Sequence, residues 1–201
     1  MGAVKRTFTV ILRKLFQMYS VNEFISEIKK NGVARSEKFR VEITPPIALQ
    51  SSMDTQRMLP FYCDAVDLPG VNINTRPSKI NNLNIQQAST IDYMGDGVNF
   101  SFLIDGSWNI KKFFDDWANL IIDRNREIGE YNNVIGSVTI YNLHESNTSA
   151  TGSEHKETVN YKVKLVNAFP RNISPLNASY SNIGVHRLNV LFTFKYWEFV
   201  P

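Results

Sequence analysis

The sequence is poor in residues that do covalent chemistry. Its 201 positions hold one cysteine, Cys63, and three histidines. A single cysteine excludes an internal disulfide and fits a reducing compartment, or a particle assembled in one. Cys63 reads as a small buried hydrophobe, because free cysteine is among the most buried residue types. No apolar run approaches the ~20 residues that a membrane-spanning helix needs. The net charge is only +3, so the strongly basic stripe of bulk nucleic-acid binding is missing. There is no phosphate-binding glycine loop and no Gly-x-Ser-x-Gly elbow; Gly95-Asp96-Gly97 is too short for either. Asp115 and Asp116 point about 100° apart on a helix and cannot share a proton as a dyad. Cys63 has no histidine context for nucleophilic catalysis.

The remaining candidates are weak. His144-Glu145 and Glu154-His155 bracket a Ser/Thr/Asn/Gly-rich connector and hold metal-ligating side chains. The separation is long and a third anchored ligand is missing, so the pattern reads as a solvated loop. His186 reads as a strand-end histidine reaching solvent or a carbonyl. The expectation is no catalytic, cofactor-binding or metal-ligating residue, no cofactor, no small-molecule substrate and a structural or binding role.

What is present is a core. Hydrophobic residues make up 43% of the chain, enough for one ample domain or a domain with an appendage. Val4, Phe8, Ile11, Leu15 and Met18 recur at helical steps, and Ser20-Val21-Asn22-Glu23 is a capping-box pattern opening a second helix. Phe24, Ile25 and Ile28 are its apolar face, and Asn31-Gly32 stops it. Residues 1–17 read as an amphipathic helix packed on its own domain or on a neighbouring copy. Its basic side, Lys5, Arg6, Arg13 and Lys14, is also what a membrane-surface helix carries. Arg13 and Lys14 break the apolar run and no small-residue cleavage site follows, so the segment does not read as a signal peptide. Arg6 stands where myristoylation wants Ser or Thr.

Beyond Phe39 the period changes to two. Phe39–Ile43, Phe61–Val66, Val98–Ile104, Ser137–Leu143 and Thr158–Val166 read as strands. Residues 47–58 read as a polar irregular link, and the Asn-rich stretch 72–84 as an extended arm, with a short strand at Leu83–Gln87. Ile110–Arg124 is the clearest helix of the chain, with Phe113, Phe114, Trp117, Leu120 and Ile121 on one face. Val185–Trp197 reads as one long final strand. Its even face, Leu188, Val190, Phe192, Phe194 and Tyr196, points to a core beneath that helix, while Trp197 falls on the other parity. Strands in runs with one covering helix predict a mainly β (α+β) fold. That is an antiparallel β-sandwich or barrel with one flanking amphipathic helix and a helical N-terminal extension. The expected division is a helical extension at 1–35 and a β-domain at 36–201.

Four segments in order resemble one family. They are Asn31-Gly32-Val33-Ala34-Arg35 leading to Phe39-Arg40-Val41, and Phe61-Tyr62-Cys63-Asp64-Ala65-Val66-Asp67-Leu68-Pro69-Gly70. Then come Phe100-Ser101-Phe102 to Asp105 with a helix carrying Phe114 and Trp117. The last is Ala168-Phe169-Pro170 with Ile173 and the terminal Tyr196-Trp197-Glu198. Together, over residues 20–198, they resemble the tail-tube proteins of contractile-tailed bacteriophages, relatives of the type VI secretion inner tube. The resemblance implies a non-enzymatic virion protein of the phage tail, assembled in the host bacterial cytoplasm. It implies hexameric rings that stack into a conduit for DNA. Partners would be further copies of the chain, sheath and baseplate proteins, and DNA in passage. Residues 1–17 precede the family-like start, which opens a second expectation: a baseplate initiator or tail-terminal ring of the same fold. A third, of another class, is a peripheral membrane module using the basic N-terminal helix.

Overall fold

The computed structural model describes residues 21–50, 53–80, 83–93, 97–123, 127–145, 157–181 and 183–201. The expected helix over residues 1–17 and the capping residue Ser20 lie outside them. The chain divides after Glu37 into two units. In the first, helix α1 (Val21–Asn31) carries Val21, Phe24, Ile25 and Ile28 exposed. It ends as its sequence predicts: Gly32 takes a left-handed φ of 71° and donates its N–H to the Ile28 carbonyl at 2.8 Å.

The second unit, Lys38–Pro201, holds nine strands among its described residues: β1 (Phe39–Thr44), β2 (Cys63–Val66), β3 (Asn72–Ile80), β4 (Leu83–Asp92), β5 (Val98–Leu103), β6 (Gly136–Glu145), β7 (Glu157–Ile173), β8 (Arg187–Thr193) and β9 (Tyr196–Phe199). Every pairing is antiparallel. Helix α2 (Met53–Tyr62), helix α3 (Asn109–Ile121) and the one-turn α4 (Tyr131–Val134) complete it.

Seven strands form two faces joined through β7. Its first part pairs with β6 on one side and β9 on the other, giving layer A in the order β1-β6-β7-β9. Its last residues pair with β8, giving layer B in the order β7-β8-β5-β2. The turn between layers falls at Asn167, the bulged residue opposite Gly136/Ser137, with φ 55°. A bulge bends its strand, and asparagine tolerates the left-handed region better than most residues. The sheet does not close, since β1 and β2 end the path.

The two inner faces alternate into one core. Val41, Ile43, Val138, Ile140, Val163 and Leu165 come from layer A; Val98, Phe100, Phe102, Leu188, Val190 and Phe192 from layer B. Helix α3 seals them with Ile110, Phe113, Phe114 and Trp117. Phe114 lies 5.1 Å from Phe102 between ring centroids, and Trp117 lies 5.7 Å from Phe192. The even face of the final segment therefore meets this helix, as its pattern predicts.

Several local expectations are corrected. The final strand is two strands. Phe194 stays in the core, Lys195 breaks the run by donating its N–H to Val166, and β9 moves from layer B to layer A. The break resets the parity, so Trp197, paired with Leu165, turns to the core side and Tyr196 is exposed. The link at 47–58 contains a 3-10 turn (Ile47–Leu49) and most of α2, whose Leu59 is buried. The strand expected at Phe61 starts at Cys63, where α2 ends two residues after its internal Pro60.

Two close approaches hold α3 in place. A Cβ on Gly136 would sit 2.4 Å from the Thr44 carbonyl oxygen and 3.0 Å from the Trp117 ring. Gly136→Ala is expected to cost about 1–3 kcal/mol by overpacking, seen as a lower urea midpoint with an unchanged m-value. Asp105, 6% exposed, accepts from the Ile110 N–H through Oδ1 at 3.1 Å and so satisfies the start of α3. Burial alone would raise its carboxyl. Backbone N–H groups of Ile110, Asn109, Asp105 itself and Ser107 more than offset this and hold it below the ordinary 3.8. A depressed folded-state value means its contribution is complete above the unfolded-state value and is lost as pH falls through the folded one. Asp105→Asn should therefore flatten the stability loss of the parent protein in the window below 3.8. Thermal melts across that range check it.

Candidate assembly surfaces

Strands β3 and β4 form a ribbon separate from the seven-stranded sheet. The expected arm is thus a nine-residue strand paired with a ten-residue strand. Ile73 stands opposite Ile91 near the base, and Leu83 opposite Ile80 near the tip. Ile73, Leu83 and Ile91 are all more than half exposed. Between them the ribbon carries Asn74, Thr75, Gln86, Gln87 and Thr90, with an Asn74 to Thr90 side-chain bond at 3.2 Å. A two-stranded ribbon is marginal in water on its own, and exposed isoleucines on such a ribbon are surface that another chain can cover. Its root is fixed to the body. Trp197 Nε1 donates to the Gly70 carbonyl at 3.0 Å, and Tyr93 meets the Trp197 ring edge-on at 6.4 Å.

Among the described residues the edge of β1 away from β6 is unpaired, and it lies along a groove of about 520 Å³ shared with α2. Arg40, Val41, Glu42, Ile43 and Thr44 all line it. Consecutive strand residues line a groove only when it runs along the strand's edge rather than over one face. Phe61 and Ile47, each more than four-fifths exposed, stand near this edge and at the adjoining turn. An open edge with exposed apolar neighbours is a template for pairing with another chain.

The two outward faces differ in how many charged side chains they carry. The outer face of layer A carries Arg40, Glu42, Lys162, Lys164 and Glu198 in two cross-strand rows. Arg40 and Lys162 flank the Tyr141 ring at 4.7 and 5.3 Å, and Tyr141 donates its hydroxyl to Glu42 at 2.7 Å. Burial, then the bond and charge of Glu42, push the Tyr141 hydroxyl up, against Arg40. The outer face of layer B centres on Asn99, Ser101, Asn189, Leu191 and Asn172. At its margins Arg187 is paired to Asp64 at 2.8 Å, and Arg171 sits in the β7 bulge.

The catalytic candidates do not converge. Cys63 is half buried, and burial, with the Asp64 charge adding, pushes its thiol up to about 12. Such a thiol is a poor nucleophile. Asp115 is engaged by Lys111 one turn before it on α3. His186 packs on Trp108 at 5.6 Å. His144 and Glu145 end β6, while Glu154 and His155 lie outside the described residues. Among the described residues no group of three or more His, Cys, Asp or Glu is placed to hold a metal, and no helix is long and apolar enough to cross a membrane.

The fold of antiparallel β-layers with a sealing helix is similar to that of three chains in solved assemblies. One is from the six-fold symmetrised baseplate of the anti-feeding prophage: TM-score 0.56, 11% identity, 85% of this chain and 97% of that one. A second is from the sheath-tube complex of an extracellular contractile injection system in the extended state: TM-score 0.52, 12% identity, 87% and 97%. A third is from the sheath/tube terminator of that kind of system: TM-score 0.51, 11% identity, 84% and 97%. No curated protein matches the sequence. The family itself comes from the sequence: residues 34–200 match the phage tail tube proteins, and this chain belongs to that family.

Proposed function

We propose that this chain is a structural subunit of the tail tube of a contractile-tailed phage, and not an enzyme. Six copies form a ring, and rings stack into the conduit through which DNA leaves the capsid. The observation that carries this reading is the family match across 34–200 on a fold in which, among the described residues, β1 ends the sheet path and the β3–β4 ribbon is exposed. Heterologous head-to-tail contacts close one sequence into a ring, and stacking extends it. Residues 36–201 are the tube domain and 1–35 a helical extension. Sheath and baseplate proteins are the external partners, in a virion tail assembled in the host bacterial cytoplasm. Sedimentation with negative-stain microscopy of the purified chain should show rings or hollow tubes. Monodisperse monomers at high concentration would contradict the reading.

A second reading draws on the baseplate and terminator structures that share the fold. It makes this chain an initiator or terminal ring, present once per particle. Quantitative mass spectrometry of virions separates the two: many rings' worth of copies supports the tube, one ring's worth the initiator or terminator.

A further inference from the structure

We infer that helix α1 of one copy lies in the groove between β1 and α2 of a second copy. This rests on the tube reading above, which requires contacts between copies, and names one of them. Helix α1 exposes Val21, Phe24, Ile25 and Ile28. They stand at i, i+3, i+4 and i+7, the spacing of the anchors that an amphipathic helix lays into a groove. The groove has β1 as one wall and Arg57, Pro60 and the exposed Phe61 of α2 on the other. The lengths agree. The six residues of β1 span about 20 Å, and the eleven of α1 about 16 Å. A helix seated there inserts only side chains, whereas a strand pairing with β1 would need its whole backbone between the two walls.

Charge selects this occupant and its direction. With the apolar stripe turned into the groove, Glu27 and Lys29 project roughly 90–110° from it on opposite flanks, while Glu23 and Lys30 point away. The α2 wall carries Arg57 and the β1 wall carries Glu42. One direction of α1 sets Glu27 beside Arg57 and Lys29 beside Glu42; the reverse direction sets like charges together. Arg40, the remaining charge of the groove, lies over the Tyr141 ring.

Cross-linking of the assembled full-length chain tests this. Cys63→Ala first removes the parent thiol, which is half buried. Glu27→Cys and Arg57→Cys are then made in separate, differently tagged chains, mixed, assembled and mildly oxidised. A disulfide joining the two tags is expected. Glu27→Cys mixed with Asn189→Cys, on the outer face of layer B, should give none. Tubes with no link to Arg57→Cys, or with an equal link to Asn189→Cys, overturn the inference while leaving the tube reading intact. So does a chain carrying Glu27→Cys and Arg57→Cys together that closes on itself while the mixture stays unlinked, since α1 then lies on its own copy. Failure of the parent chain to associate overturns the tube reading and the inference with it. As a second readout, Phe24→Asp should raise the concentration for half-assembly at least about tenfold, as for loss of an interface anchor. The thermal midpoint of the β-unit should not move, because α1 belongs to the first unit. Glu27→Arg should weaken assembly, and adding Arg57→Glu to the same chain should restore most of it. Parent-like assembly by Phe24→Asp, or no recovery in the charge swap, also overturns the inference.

Discussion

Trp117→Ala is expected to destabilise the β-unit by about 3–5 kcal/mol, the range for removing a buried large aromatic. Trp117 is fully buried, touches Phe113 and Phe192 edge-on, and donates Nε1 to the Val134 carbonyl at 2.9 Å. The substitution opens a cavity under α3 and leaves a buried carbonyl without its donor. For a unit of this size that is a fall in Tm of roughly 10 °C or more. Trp117→Phe keeps much of the ring but not the N–H, and should lose less than half as much. Equal losses for the two variants would show that the hydrogen bond, not packing, dominates. A loss below about 1 kcal/mol for Trp117→Ala would mean that α3 does not seal the core.

The second large effect is on assembly and should leave folding intact. Replacing residues 72–92 with a short Gly-Ser link removes the ribbon but keeps Gly70, Tyr93 and Trp197 at its root. Among the described residues the ribbon supplies none to the core cluster, so the thermal midpoint should shift by only a few degrees, as for surface changes. Tube or ring formation should be lost, because the exposed Ile73, Leu83 and Ile91 go with it. Unfolding of the deletion variant would show that the ribbon belongs to the body. Normal assembly would remove it from the contacts between copies.

Much of this architecture is legible in the sequence wherever one side of an element is buried. The alternation in Val98–Leu103 and Arg187–Thr193 predicts the inner faces of layer B, and the helical stripe of Phe113, Phe114 and Trp117 predicts the seal. Legibility fails where burial is absent or is set by distant partners. All of β4 is exposed, so its residues show no alternation, and polar strands look like a loop. Among the described side chains of helix α2 only Leu59 is fully buried, and the helix contains Pro60, a residue that reads as a break. The step at Phe194-Lys195 is invisible locally because both sides alternate well; the register with Val166 sets it. The one turn of α4 is too short for a periodic signal. The proposed assembly surfaces are the least legible of all. An open edge is a property of the sheet order, and which side chains share a face across strands appears only once strands are paired.

The most direct test is a cryo-electron microscopy reconstruction of the purified full-length chain under assembling conditions. The account predicts hollow tubes of stacked six-fold rings. In them, the β3–β4 ribbon should lie against a neighbouring copy. Particles of a single subunit, or tubes in which the β3–β4 ribbon touches no neighbouring copy, would contradict it.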